Sequence, residues 1–177
     1  MGLKSPFNRQ MTWAMISGKS DLSKVIETAS DTVEPETGMR PETLALEQPS
    51  AYGVGTARAI AKVYGILANG GKSNDDQKLL SSDLIQKITR EAKYDGWVDR
   101  TMGLASVVSL GFFLDEYEGA TWFGHPGAGG MQGRADPQRK VGMSYLSSHG
   151  SPFGLGDDPR FVSLLDATYK CIKDLEK

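Results

Sequence analysis

Apolar residues recur with helical spacing at three places in the first half of the chain. Such spacing is typical of helices that bury one face. Asp21, Thr56 and Ser82, all residue types that favour N-caps, precede the three series. Asn69-Gly70-Gly71 ends the second series with residues that tolerate a left-handed backbone. We predict three helices and a long loop over residues 30–50. The series are Leu22, Val25, Ile26 and Ala29; Ile60, Val63, Tyr64 and Leu67; and Leu84, Ile85 and Ile88.

The second half of the chain changes to strand patterns. Residues 107–114 are apolar around a central Gly111 and predict one buried strand, and residues 121–127 and 141–147 predict two more. Residues 136–139, Asp-Pro-Gln-Arg, form a turn signal between the last two strands. Consecutive strands with short links predict an antiparallel meander.

A closing helix is predicted after the strands. Asp158 is a favourable N-cap, and Pro159 suits the first helical position. Residues 94–102 and 150–158 are predicted to be irregular. Helices followed by a hairpin run and a closing helix indicate the α+β class. We expect the helix to pack on the sheet through Phe161, Leu164, Leu165, Thr168, Ile172 and Leu175.

The composition excludes several classes of protein. Net charge is −2, from 20 basic and 22 acidic residues, and no basic block stands out. Nothing therefore indicates a nucleic-acid partner or an anionic membrane surface. The apolar runs are far shorter than the ~20 residues that span a bilayer, so no membrane span is expected.

Targeting signals are not evident in the sequence. Lys4, Arg9 and Gln10 interrupt any apolar stretch within residues 1–16, which argues against a secretory signal. A cytoplasmic location is then the default, and the compartment stays open. Cys171 is the only cysteine, so the chain has no internal disulfide, and we assign this thiol no catalytic role.

Two short segments resemble phosphate-binding loops but lack an essential residue. Gly18-Lys19-Ser20 and Gly71-Lys72-Ser73 match the end of that motif. The motif also requires a glycine five residues before the glycine that precedes the lysine. That position holds Trp13 in the first segment and Ile66 in the second. Without that glycine the backbone amides cannot surround a phosphate, so both segments are interpreted as surface turns.

Dinucleotide and metal sites are also not predicted. Gly127-Ala128-Gly129 could begin a dinucleotide-binding motif, but Gln132 occupies the third glycine position. His125 and His149 are the only histidines, and neither has a second ligand at metal-binding spacing. We therefore expect neither a cofactor nor a metal.

One glycine-rich stretch belongs to an ordered set of sequence blocks. Residues 123–130 read FGHPGAGG. With the other blocks, this stretch resembles the family of serine β-lactamases, penicillin-binding proteins and related esterases, over roughly residues 40–172. The order of the blocks makes the resemblance specific. The blocks are residues 49–58 with 61–64 and 68–71, residues 110–112, and residues 125–127 with 136–137 and 141–147.

The resemblance implies roles for three residues. The active-site strand of that family carries Lys-Thr-Gly, with histidine in first place in many esterase-like members. His125 would take the polar first place, Gly127 the place where substrate approaches closely, and Ala128 would supply the amide that binds the oxyanion. Glycine leaves a strand face open, and a fixed N–H at the developing charge contributes several kcal/mol in known hydrolases. Considered alone, His125 is better interpreted as a partly buried strand histidine with a satisfied hydrogen bond, and the family pattern reverses that preference.

Pro126 adds an expectation about the sheet. It has no N–H to donate to a ladder. We therefore expect the strand that contains it to be an edge strand facing a cleft. The family resemblance further implies a partial β-lactamase/transpeptidase-like fold, with an antiparallel sheet packed by helices, and acyl transfer from a small-molecule ester or amide.

The sequence departs from the family at the nucleophile. The family uses Ser-x-x-Lys, and no serine in the chain is followed by lysine three residues later. The family's Tyr-x-Asn element has its only spacing match in Tyr145-Leu146-Ser147, which follows the strand motif and is interpreted as a structural coincidence.

These departures predict that the chain is part of a larger catalytic domain. Residues 1–177 would form its C-terminal portion, with residues 1–39 left from a helical region and loop, and residues 40–177 forming helices, meander and closing helix. Such a fragment would be inactive alone, and its uncovered surfaces would favour self-association. The alternative is a non-catalytic protein that retains the fold and binds a ligand or partner.

Overall fold

The computed structural model describes residues 17–18, 21–28, 40–47, 53–90, 98–99, 104–105, 107–127, 129–149 and 158–176. Ala128 lies outside the described residues, as do residues 150–157 and most of the predicted loop at 30–50.

The described residues contain the predicted helices and one more. A helix was not expected within residues 30–50, so that loop prediction is wrong at Pro41–Leu44, where proline occupies the first turn. None of the helices in these described ranges is long and apolar enough to cross a membrane. The helices are α1 Asp21–Thr28, α2 Pro41–Leu44, α3 Ala57–Ala68, α4 Ser82–Arg90 and α5 Pro159–Leu175.

Side-chain caps fix the starts of the longer helices. Thr56 Oγ1 accepts a hydrogen bond from the Ala59 N–H at 3.2 Å, as predicted. Asp158 accepts one from the Arg160 N–H at 2.9 Å at the start of α5. The cap predicted at Ser82 is wrong by one residue, because the Ser81 hydroxyl accepts from the Leu84 N–H while Ser82 is already helical.

The predicted antiparallel meander is confirmed, but within the described residues it has five strands rather than three. The strands pair in chain order, so each lies beside its sequence neighbours. A separate two-stranded pair, β1 Val98–Asp99 with β2 Leu104–Ala105, corrects the prediction that residues 94–102 are wholly irregular. The five strands are β3 Val108–Ser109, β4 Phe112–Tyr117, β5 Ala120–Gly127, β6 Met131–Asp136 and β7 Val141–Tyr145.

Two sequence interpretations of the sheet are wrong. Residues 107–114 form a hairpin rather than one strand, because Leu110 and Gly111 adopt positive φ angles of 48° and 88° and turn the chain. The stretch between β5 and β7 contains a further strand, β6, after a turn through Gly129 and Gly130. The predicted turn at residues 136–139 follows β6.

Helices cover both faces of the sheet. Phe123 on β5 is completely buried in a core with Leu67 of α3 and Ile88 of α4. Its neighbour Trp122 points to the other face and is buried against Tyr169 of α5. This alternation follows from the two-residue period of a strand.

The buried face of α5 differs from the predicted one. Phe161, Leu165 and Tyr169 are buried, at four-residue intervals. Leu164 is 46% exposed and Leu175 is 86% exposed. The helix does pack on the sheet, but through a narrower stripe than its apolar residues indicate.

The expectation that Pro126 lies in an edge strand is also wrong. β5 is the central strand, between β4 and β6. Its pairing with β4 ends at Gly124, and Pro126 pairs only with Gln132 of β6. Proline is tolerated because it follows the last residue that the β4 ladder uses.

Candidate active site

His125 lies near the end of β5, on the face covered by α3. It shares that face with Phe123, two residues earlier, and its side chain is exposed. The imidazole contacts the Phe113 ring edge-to-face, with centroids 4.9 Å apart. Its Nδ1 lies 2.7 Å from the Pro126 carbonyl oxygen. Since a carbonyl can only accept, this contact favours hydrogen on Nδ1 and leaves Nε2 of the neutral ring as an acceptor.

Gly127 follows on the same face and borders β6. A Cβ atom at this position would lie 3.1 Å from Met131 Cβ, closer than most such contacts. A side chain here would therefore crowd the neighbouring strand. His125 and Gly127 thus lie side by side at the end of β5, and Ala128 lies outside the described residues.

An apolar groove of about 200 Å³ opens beside these two residues. Met131 and Leu146 line it from the sheet, and Ile60 and Tyr64 line it from α3. The sequence predicts that Ile60 and Tyr64 lie on the buried stripe of a helix, and this periodicity is the signal that points to a buried role for them. It gave no indication that they approach residues 125–127, because a stripe does not identify the strand it covers.

Tyr64 reaches the groove because Gly133 of β6 has no side chain. A Cβ on Gly133 would lie 2.2 Å from Tyr64 Cε2, so the ring occupies the space where a side chain would be. Burial raises the pKa of the Tyr64 hydroxyl above its ordinary value, against the opposing influences of the Arg134 charge and a hydrogen bond with the His125 backbone. The hydroxyl is therefore protonated near neutral pH.

Buried polar side chains support the opposite face of β6. Arg134 Nε donates to Gln132 Oε1 at 3.0 Å. Asp136 Oδ2 accepts from the Tyr169 hydroxyl at 2.5 Å, and its Oδ1 accepts from the N–H groups of Gln138 and Arg139. These bonds fix β6 to α5 and to the turn at residues 136–139.

The Tyr145-Leu146-Ser147 match lies away from His125. Tyr145 packs toward α5, with its ring centroid 6.2 Å from that of Phe161. That is the sheet face opposite to His125, which supports the interpretation of a coincidence in spacing. Leu146, by contrast, borders the groove.

Comparison with known proteins identifies the family. A model of the family described as beta-lactamase matches residues 10–167. The chain belongs to the β-lactamase family. This result confirms the resemblance drawn from residues 40–172.

Two esterase relatives are similar to the chain. It is 36% identical over 130 residues to the esterase/beta-lactamase LipL of Mycobacterium tuberculosis, a match covering 68% of the chain and 28% of LipL. The crystal structure of a family VIII carboxylesterase superimposes with a TM-score of 0.58 at 38% identity, covering 66% of the chain and 32% of the carboxylesterase. The chain thus spans about a third of the length of these relatives. They confirm the α+β, β-lactamase-like fold and place the chain in a β-lactamase-related, esterase-like family.

Proposed function

We propose that this chain supplies one wall of an acyl-transfer site that hydrolyses a small-molecule ester or amide. The observation that carries the proposal is the position of His125 and Gly127 beside the apolar groove. The names of the two relatives, both esterases, favour an ester as the substrate. Residues 1–177 would then form the C-terminal portion of a single catalytic domain.

Each site residue has a distinct role in the proposed reaction. A serine hydroxyl attacks the substrate carbonyl, and the Ala128 N–H donates to the oxygen as it becomes negative. Gly127 leaves room for the carbonyl to approach the strand. His125 offers Nε2 as a hydrogen-bond acceptor to the hydroxyl of the departing alcohol. The alcohol leaves with a proton, and water then releases the acid from the serine ester.

The nucleophile in this proposal comes from outside the 177 residues. They contain no Ser-x-x-Lys. A site with oxyanion donors but no attacking group retains only weak catalysis. The chain alone is therefore expected to be inactive, and a polypeptide with that motif would complete the site.

The groove indicates what part of the substrate it holds. Ile60, Met131 and Leu146 give it an apolar surface. An uncharged acyl or alcohol group fits this surface best.

Self-association of the isolated chain is part of the proposal. Val162, Leu164 and Leu175 expose apolar surface on α5. In a partial domain, the helix and sheet faces that the remaining portion would cover also favour association. Size-exclusion chromatography is expected to show oligomers, and a monomer at all concentrations would contradict this part.

A chimera tests the catalytic proposal. Residues 40–172 would replace the matched segment of the family VIII carboxylesterase, which retains its own N-terminal portion. We expect the chimera to hydrolyse p-nitrophenyl butyrate, and His125→Ala to reduce kcat/KM at least tenfold. His149→Ala, which removes an exposed histidine that does not line the groove, is the matched control. A chimera that unfolds cooperatively but shows no hydrolysis would favour the non-catalytic binding protein.

A further inference from the structure

We propose that Tyr64 is a positioning residue that holds the His125–Gly127 segment of β5 in place from α3. The inference rests on the proposed function and extends it to a residue outside the strand motif. Tyr64 acts through the backbone that carries the site residues, rather than on the substrate.

Strand pairing supports the His125–Gly127 segment on one side only, within the described residues. Pairing between β4 and β5 ends at Phe113 and Gly124. Beyond that point, residues 125–127 pair with β6 alone within the part of the chain that the structure describes. A strand end held by one neighbour opens more readily than one held by two.

Tyr64 supplies a second support. Its ring lies over Gly133, the β6 residue that pairs directly with His125. Its side chain also lines the groove beside His125, Pro126 and Gly127. The side chain therefore lies over the β6 member of this pair and lines the groove beside the β5 member.

Helix α3 is itself held rigidly enough to act as a platform. A Cβ on Gly142 of β7 would lie 2.0 Å from the Gly65 nitrogen, so the helix backbone rests directly on the strand. Asn69 Nδ2 donates to the Lys140 carbonyl oxygen at 3.3 Å, joining the helix end to the turn before β7. The position of Tyr64 is thus set by β7, and Tyr64 extends that constraint to β5.

Amide hydrogen exchange of the 177-residue chain, measured by NMR, tests the proposal. Tyr64→Phe removes only the hydroxyl, and Tyr64→Leu also removes the ring. We expect the His125 and Gly127 amides to exchange at least tenfold faster in Tyr64→Leu and severalfold faster in Tyr64→Phe. Pro126 has no amide hydrogen to report. The amides of Leu165 and Tyr169 in α5 serve as the reference and should change less than twofold.

Tyr117→Phe is the matched control, since it removes a tyrosine hydroxyl at the far end of the β4–β5 hairpin. It should leave the exchange of His125 and Gly127 unchanged. The proposal is overturned if neither Tyr64 variant accelerates these two amides, or if all amides accelerate equally.

The exchange experiment and the activity of the chimera distinguish failure of this inference from failure of the proposed function. Exchange requires no activity, so it can respond to Tyr64 even if the carboxylesterase chimera is inactive. If the chimera is active, Tyr64→Phe should lower kcat more than it changes KM, because a displaced oxyanion donor weakens the transition state more than substrate binding.

Discussion

Gly142 of β7 and Gly65 of α3 lie in direct backbone contact. A Cβ built on Gly142 would lie 2.0 Å from the Gly65 nitrogen, whereas a Cβ built on Gly65 would meet nothing within 4 Å. The contact thus requires glycine on the strand and not on the helix. It sets the distance at which α3, with Ile60 and Tyr64, covers the sheet.

Alanine substitutions at these two positions should have opposite effects. Gly142→Ala forces α3 away from β7, and overpacking of this kind costs about 1–3 kcal/mol. Gly65→Ala should stabilise the chain by about 0.5–1 kcal/mol, since glycine within a helix is unfavourable relative to alanine. Urea denaturation of both variants measures the change in the free energy of unfolding. Equal effects of the same sign would show that α3 is not seated on this contact.

The sequence predicted elements with strong local signals. Thr56 and Asp158 mark helix starts through their capping side chains, and these predictions hold because a cap needs only nearby residues. Strand β6 was missed because Gln132, Arg134 and Asp136 are polar, and their burial depends on partners far away in the sequence.

In the candidate site, too, the features with a local sequence signal were predicted and those that depend on distant residues were not. His125 and Gly127 come from one short motif, and both line the groove. The groove combines that motif with α3, and the approach of Tyr64 depends on Gly133, 69 residues later. Helical periodicity predicts a buried face but not the strand against which it packs.

Removal of the Tyr169 hydroxyl should destabilise the fold. This hydroxyl donates to the buried Asp136 carboxylate at 2.5 Å. A hydrogen bond to a charged group contributes about 1.5–3 kcal/mol, so Tyr169→Phe should lower the free energy of unfolding by about that amount. Tyr145→Phe is a matched control, because no carboxylate partner of Tyr145 is found among the described residues. The role assigned to Tyr169 would be contradicted by two variants of equal stability.

Stability should fall in alkaline solution through Tyr117. The hydrogen bond that it donates to Asp166 raises the pKa of its hydroxyl to about 12, with smaller contributions from burial and nearby negative charge. The unfolded chain loses this proton near pH 10. The stabilisation is therefore complete below about pH 10 and is lost as pH rises toward 12.

Denaturation of wild type and Tyr117→Phe between pH 8 and 12 measures this effect. The variant should lose less stability than wild type between about pH 10 and 12, because it lacks the proton whose release differs between the folded and unfolded chains. Parallel curves for the two proteins would show that Tyr117 does not couple to folding in this range.

Covalent labelling with a fluorophosphonate, followed by intact mass spectrometry, tests most directly whether this chain is a site wall that lacks its nucleophile. The 177-residue chain should remain unmodified. The carboxylesterase chimera should gain one adduct, on a serine of the portion that the carboxylesterase supplies. An adduct on a serine of the 177-residue chain alone would contradict the account, since that chain would then hold a nucleophile of its own.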